Sequence, residues 1–258
     1  MFINSVFTFL IIWNSLFVIP FSSGSEDIEK STIVVRESTI DLQIRVDDKI
    51  FVFAKASGGL EKVKVGMHVL PFAQIPELEG IESAFDSYSW KRNKDGSIQV
   101  KSFYSPESII LTWTIFSDGR LKLEAEGSNT LISKSLGLKF DIEEDRLKNA
   151  SWQNKIKEFG EIDLKTNQLT SSNLEVESFE SLKLDFTAVS VRVSTMVAES
   201  VLKFTPSSQS DERVENSDLS FQFMFQPSQQ SLQPNSSKEI AKESQSNLNP
   251  VSLWFDFH

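Results

Sequence analysis

The chain of 258 residues contains no cysteine, two histidines, ten glycines and eight prolines. Without cysteine there is no disulfide framework, thiolate nucleophile, zinc finger or iron–sulfur cluster. Two histidines leave little room for a His-rich metal site or a proton relay. Cations are also scarce: 26 Lys and Arg stand against 36 Asp and Glu, a formal net charge of −10. With a sequence pI near 4.9, electrostatic binding of nucleic acid is not expected. No G-x-S-x-G, H-E-x-x-H, P-loop or dinucleotide fingerprint occurs. His68 and His258 have no Ser or Asp context of a catalytic triad. No metal and no cofactor are therefore expected.

Apolar and aromatic residues are plentiful instead. At 40% hydrophobic and 11% aromatic, with 21 phenylalanines, the chain is far from disordered composition. Its length fits one large all-β domain or two small domains.

The stretch Val6 to Phe21 is apolar, carries no charge, and is followed by Ser22-Ser23-Gly24. It resembles a secretory signal peptide over residues 1–24, cleaved after Gly24. A retained anchor, or the apolar tail of something upstream, are the alternatives. As a membrane span it is short and interrupted by Asn14-Ser15, since crossing takes about 20 apolar residues. No stable membrane span is expected after cleavage, and the mature chain is placed outside the cell or in a secretory-pathway lumen. The triplets Asn149-Ala150-Ser151 and Asn235-Ser236-Ser237 make Asn149 and Asn235 glycan acceptors if the host is eukaryotic.

From residue 31 onward the dominant hydrophobic period is two. Ile40, Leu42, Ile44 and Val46 alternate with polar residues, as do Val63, Val65, Met67 and Val69. The rows Ile109–Ile115, Leu121–Ala125 and Leu136–Ile142 repeat the pattern, as do Leu182–Phe186 and Val189–Val193. Leu219–Phe225 and Val251–Phe257 are the last such rows. Alternation of this kind buries one sheet face and solvates the other. Turn chemistry separates the rows at Gly58-Gly59, Asn93–Gly96 and Ser117-Asp118-Gly119. The pattern predicts about twelve to fourteen strands and no long helix. That exceeds a seven-stranded immunoglobulin sandwich and predicts a large all-β sandwich of two extended antiparallel sheets. A single domain over 25–258 is expected, with a solvated loop at 207–217. Residues 227–250, rich in Gln, Ser, Asn and Lys, read as a polar, mobile insertion. The closing row Val251–Phe257 is expected to return to the sheet.

The order of motifs carries a family resemblance. Gly58-Gly59-Leu60-Glu61-Lys62-Val63-Lys64-Val65, then Val69-Leu70-Pro71-Phe72, resembles the start of the β-supersandwich domain of glycoside hydrolase family 2 β-galactosidases. Trp113 through Asp118-Gly119 to Leu121 and Leu123 is similar to that domain's "W-x-x-x-x-D-G-x-L-x-L" hairpin. Leu136-Gly137, Phe140 and Trp152 follow its later "L-G-x-x-F … W" stretch, and Val201–Pro206 a late strand. The resemblance spans roughly residues 32–225 and implies a galactose-mutarotase-like fold. It departs after Trp152, where Gln153-Asn154-Lys155-Ile156 replaces the family's "G-x-G-P" loop. The family's catalytic glutamates lie on a separate (β/α)₈ barrel, which this chain has no room for.

What the resemblance implies is an accessory domain that binds carbohydrate or assembles with a separately encoded glycosidase chain, not a glycosidase by itself. A truncated or split portion of such an enzyme, and a secreted structural or interaction β-sandwich, are the alternatives. Sugar binding uses aromatic faces with carboxylates or amides beside them. Trp152, Trp90 and Tyr88 are the candidate rings. Trp113 shares a face with Leu111 and Ile115 and is expected in the core; Trp254, opposite Leu253 and Phe255, is exposed or covered by a second sheet. The run Asp141–Asp145 reads as a solvated acidic turn and not a Ca²⁺ loop. A glycosidase carboxylate pair would stand about 5–9.5 Å apart, but the sequence nominates none.

Overall fold

The computed structural model describes residues 32–70, 72–127, 135–143, 147–163, 174–197, 200–206, 218–225 and 251–258. The leader 1–24, the sequon at Asn235, the loop 207–217, the insertion 227–250, and Glu144 with Asp145 lie outside these residues. Most of the alternating rows become single strands. In chain order these are β1 (Val34–Glu37), β2 (Asp41–Val46), β3 (Lys49–Ala54), β4 (Leu60–Val65) and β5 (His68–Leu70). Then come β6 (Phe72–Gln74), β7 (Ala84–Arg92), β8 (Ile98–Ser105), β9 (Ile109–Ile115) and β10 (Leu121–Glu126). They are followed by β11 (Leu136–Glu143), β12 (Leu147–Asn154), β13 (Phe159–Asp163), β14 (Leu174–Glu177) and β15 (Phe179–Phe186). The last are β16 (Ser190–Ser194), β17 (Ser200–Pro206), β18 (Asp218–Phe225) and β19 (Val251–Phe257). Among the described residues there is no α-helix, so none is long and apolar enough to cross a membrane.

The strands form a 5-stranded meander β1-β2-β3-β4-β5, a 9-stranded sheet β13-β12-β15-β16-β19-β10-β9-β8-β7, and a 5-stranded sheet β14-β17-β18-β11-β6. The paired strands all run antiparallel. The two smaller sheets lie side by side, β4 beside β6, and both face the large sheet. Phe51 and Phe53 of the first meet Phe257 and Trp113 of the large sheet at 5.8 and 6.0 Å between ring centroids. Phe72 of the other lies 5.8 Å from Phe255, and Phe223 lies 5.3 Å from Phe179. The fold is thus a large antiparallel all-β sandwich.

One continuous core fills the space between the layers. Leu42, Ile44, Val46, Leu111, Leu123, Phe140, Leu184, Val191, Phe221 and Phe255 are fully buried, and each such side chain contributes roughly 1.5–3 kcal/mol. The closing strand β19 lies inside the large sheet between β10 and β16, which explains its four inward apolar residues. Trp113 is fully buried, and its indole N–H donates to Gln74 Oε1 at 2.8 Å, so the ring's single polar atom is satisfied.

Two details correct the strand reading. Val63, Val65, Met67 and Val69 do not share one strand. The chain turns at Gly66, whose φ is 58°, and Gly66 N–H bonds Asp48 O. Met67 is therefore 86% exposed at a hairpin tip, and beyond it Leu70 points inward while Val69 faces out. Ile40 likewise falls in the β1–β2 turn and is 75% exposed. The strand count is nineteen among the described residues. It exceeds the expectation of about twelve to fourteen.

Candidate functional site

At one end of the sandwich the large sheet stops at edge strand β13 and the facing sheet at edge strand β14. Between them opens a cleft of about 580 Å³, lined by Trp152, Asn154, Glu158, Phe159, Glu175 and Glu177 among others. That volume falls within the range of ligand pockets. Strand alternation delivers Trp152 to the inner face, beside Ala150, which is 1% exposed. Its partner across β13 is Gly160. A Cβ at 160 would lie 2.3 Å from the indole carbons, so the ring fits against the strand only because residue 160 has no side chain. On the core side Trp152 packs against buried Phe204, centroids 5.8 Å apart at 47°. The indole is half-buried and held from two sides, which fixes its orientation toward the cleft.

The segment after Trp152 builds the mouth. Asn154, only 7% exposed, accepts the Glu158 N–H on its side-chain oxygen at 2.8 Å and donates from Nδ2 to Glu158 Oε2 at 2.9 Å. Its backbone N–H bonds Glu158 O, and its carbonyl accepts the N–H of Lys157. Lys157, at φ 68°, pairs with Glu180 at 2.9 Å. The Lys155 ammonium donates to Val197 O; burial pushes its pKa below the usual lysine range, against an opposing pull from Glu180. This tight turn carries Ile156, 71% exposed, and leads to Phe159, 67% exposed. On the opposite wall Glu175 pairs with Lys203 at 2.9 Å, whereas exposed Glu177 has no partner among the described residues. The cleft thus offers one fixed aromatic ring, an apolar rim and three carboxylates. Such groups can stack on a sugar face and accept hydrogen bonds from hydroxyls.

Tyr88 and Trp90 stand elsewhere, on β7 at the far edge of the large sheet. Their polar ends are engaged: Tyr88 Oη donates to Glu37 Oε1 at 2.9 Å and Trp90 Nε1 to Glu37 Oε2 at 3.0 Å. Lys55 pairs with the same carboxylate at 2.8 Å and lies 5.7 Å from the Tyr88 ring centroid. Lys55 first, then Trp90 and Tyr88, hold the Glu37 carboxyl at about 2. Two residues further along, Arg92 donates to Ile33 O at 2.8 Å. Three successive side chains on one face of β7 thereby fasten β1 to the large sheet.

Trp254 is half-buried on the outward face, stacked on Phe116 at 5.4 Å and 19°, with Arg120 and Lys122 each 5.4 Å from its ring. Asn149 lies mid-strand in β12, its Nδ2 donating to Glu161 at 2.6 Å. His68 is exposed on β5, and His258 pairs with Asp256 at 3.2 Å. Asp141 to Glu143 continue strand β11 and do not form a turn. No group of three or more metal-ligating side chains occurs among the described residues.

The structure therefore brings Trp152 to a cleft and separates it from Tyr88 and Trp90. Glu158, Phe159, Gly160, Glu175 and Glu177 were not singled out from the sequence. Gly160 had a usable signal, since folding the hairpin at the Lys157 turn places it opposite Trp152. The β14 wall had none, because its neighbour β17 is distant in sequence.

These features define a large antiparallel β-sandwich with an aromatic, acidic cleft at one end. No known family model matches the chain, and no curated protein matches it in sequence. Among solved structures it is similar to the crystal structure of a protein from Salmonella typhimurium described as a candidate mutarotase (YeaD). The identity is 11%, the match covers 88% of this chain and 92% of that one, and the TM-score is 0.46. At that level of similarity the likeness bears on neither substrate nor activity.

Proposed function

We propose that the protein is a carbohydrate-binding β-sandwich without catalysis of its own, and that its saccharide site is the β13–β14 cleft. The observation that carries this reading is the Trp152 indole, fixed by Gly160 and Phe204 at a cleft that also exposes carboxylates. Among the described residues the walls carry three glutamates and no cation beyond Lys203, which favours neutral or amino sugars over acidic ones, since like charges repel at close range. The motif order of the chain also supports a role like that of the accessory domain of a family 2 β-galactosidase. In that role the chain would work beside a separately encoded catalytic chain. The exposed Ile156 and Phe159 on the rim supply an apolar contact for such a partner. Secretion is part of the same reading and rests on the leader sequence.

The test is a glycan array probed with the full chain, followed by calorimetric titration of the best neutral hit. Binding is expected to weaken at least about tenfold in Trp152→Ala, while Trp90→Phe leaves it unchanged. A flat array, or a hit indifferent to Trp152, would refute carbohydrate binding at this cleft.

A further inference from the structure

The outward face of the first sheet has a chemistry opposite to that of the cleft. Register places Val34, Arg45, Ile50, Lys64 and Val69 in one row across β1 to β5. The adjacent row runs Arg36, Gln43, Val52 and Lys62. Each row carries two cations separated by aliphatic or amide side chains. Between β1 and β3 the face sinks into a depression of about 430 Å³ lined by Val34, Arg36, Gln43, Arg45, Asp47 and Ile50 among others.

The cations here are available. Arg36 and Arg45 are exposed, and Arg36 has no partner among the described residues. Arg45 spends one donor, Nε, on the carbonyl of Asp47 at 3.0 Å, leaving the outer edge of its guanidinium. Among the described residues the acids at or beside this face include Asp41, Asp47 and exposed Glu61, the extra residue of the β4 bulge next to Lys62. The Asp41 carboxylate is occupied by Ser38 Oγ at 2.5 Å and Gln43 Nε2 at 3.1 Å, and Asp47 stands at the lip of the depression. In a chain of net charge −10, four cations on one sheet face are a local reversal of sign.

We propose that this face is a second binding site, selective for acidic saccharides bearing carboxylate or sulfate groups. Arg36 and Arg45 hold the first anionic group, and Lys62 and Lys64 extend the track across the sheet. Guanidinium forks match the planar carboxylate and the sulfate oxygens. Neighbouring strands lie about 4.8 Å apart, so Arg45 on β2 and Lys64 on β4 are roughly 10 Å apart. That spacing suits charges two sugars apart along a chain, with the C–H faces of the sugars lying over Ile50 and Val52. A single-stranded nucleic acid fits less well, because its bases stack on aromatic rings. None of the outward positions of β1 to β5 is aromatic.

The test titrates the full chain at low salt with a size-defined heparin oligosaccharide and, separately, with a short oligogalacturonate. At least one is expected to bind, with affinity falling as salt rises. Arg36→Ala with Arg45→Ala is expected to weaken binding at least tenfold, and Lys62→Glu with Lys64→Glu to do the same. Lys183→Ala, the loss of one cation elsewhere, is expected to change it less than twofold. The Arg pair is exposed, and an unchanged melting curve confirms that the variant is folded. Failure of both oligosaccharides to bind, or binding indifferent to both double variants, overturns the proposal. So does arginine-dependent binding confined to single-stranded DNA or to phosphatidylserine vesicles.

Discussion

The cleft at β13–β14 and the outward face of β1–β5 are built in opposite ways from the same strand alternation. Trp152 reaches its cleft from the inner face, where its ring is braced by Phe204 and by the bare backbone of Gly160. The cations of the first sheet stand on the solvent face, where little braces them and little depends on them. One region is acidic and rigid because it is an opening of the core. The other is basic and adaptable because it is the core's outer skin. A change in the cleft is therefore expected to cost stability together with the proposed binding, whereas a change on the basic face is expected to cost the proposed binding alone.

The largest break in that contrast comes from Phe204→Ala. Phe204 is fully buried, and its truncation should cost about 3–5 kcal/mol by urea denaturation. Neutral-saccharide binding should fall with it as Trp152 loses its support, and binding of acidic oligosaccharide should persist in the folded fraction. Gly160→Ala comes next. The new methyl would meet the Trp152 ring at 2.3 Å, forcing it to tip at a cost of about 1–3 kcal/mol. Arg36→Ala with Arg45→Ala should leave stability within about 0.5 kcal/mol while weakening the salt-sensitive binding at least tenfold.

The smallest effect concerns how the first sheet is fastened. Glu37 has its pKa lowered from 4.5 to about 2 by Lys55, Trp90 and Tyr88. A carboxyl lowered in the folded state stabilises it above the unfolded pKa, and that contribution disappears as pH falls through the folded one. The stability that the Glu37 contact contributes should thus be complete above pH 4.5 and decline as pH falls toward about 2, while Arg92 keeps its bond to Ile33 O. The Trp90 indole N–H resonance of the folded wild type should move as pH approaches about 2 and should not move in Glu37→Gln. Movement in both would show that another group governs the contact.

The sandwich was legible in the sequence because a half-buried strand must alternate: the rows around Leu123 and Phe140 do so without interruption, and those around Leu111 and Phe255 with one extra apolar residue each, Ile110 and Trp254. Where a turn used Gly-Gly or Asp-Gly chemistry the boundary could be read, whereas the single glycine of the Gly66 turn, inside an alternating row, did not mark one. Where Lys157 or Ser178 took positive φ, the turns between β12 and β13 and between β14 and β15 carried no glycine to mark them. The candidate site was legible in one residue. Trp152 could be named from its position, but the wall opposite it comes from β14, brought near by pairing with β17. The Tyr88–Trp90 pair shows the converse. Its proximity on one strand face was readable, yet its carboxylate partner lies 51 and 53 residues away, and no local pattern announces it.

One measurement separates these aromatic positions directly. The full chain, labelled with ¹⁵N at tryptophan, is titrated with the neutral oligosaccharide found by array while the indole N–H signals are followed. The Trp152 signal is expected to shift progressively to saturation, while Trp113 in the core and Trp90 at the Glu37 contact stay in place. A saturable shift at Trp90 with none at Trp152 would contradict the assignment of the cleft as the saccharide site.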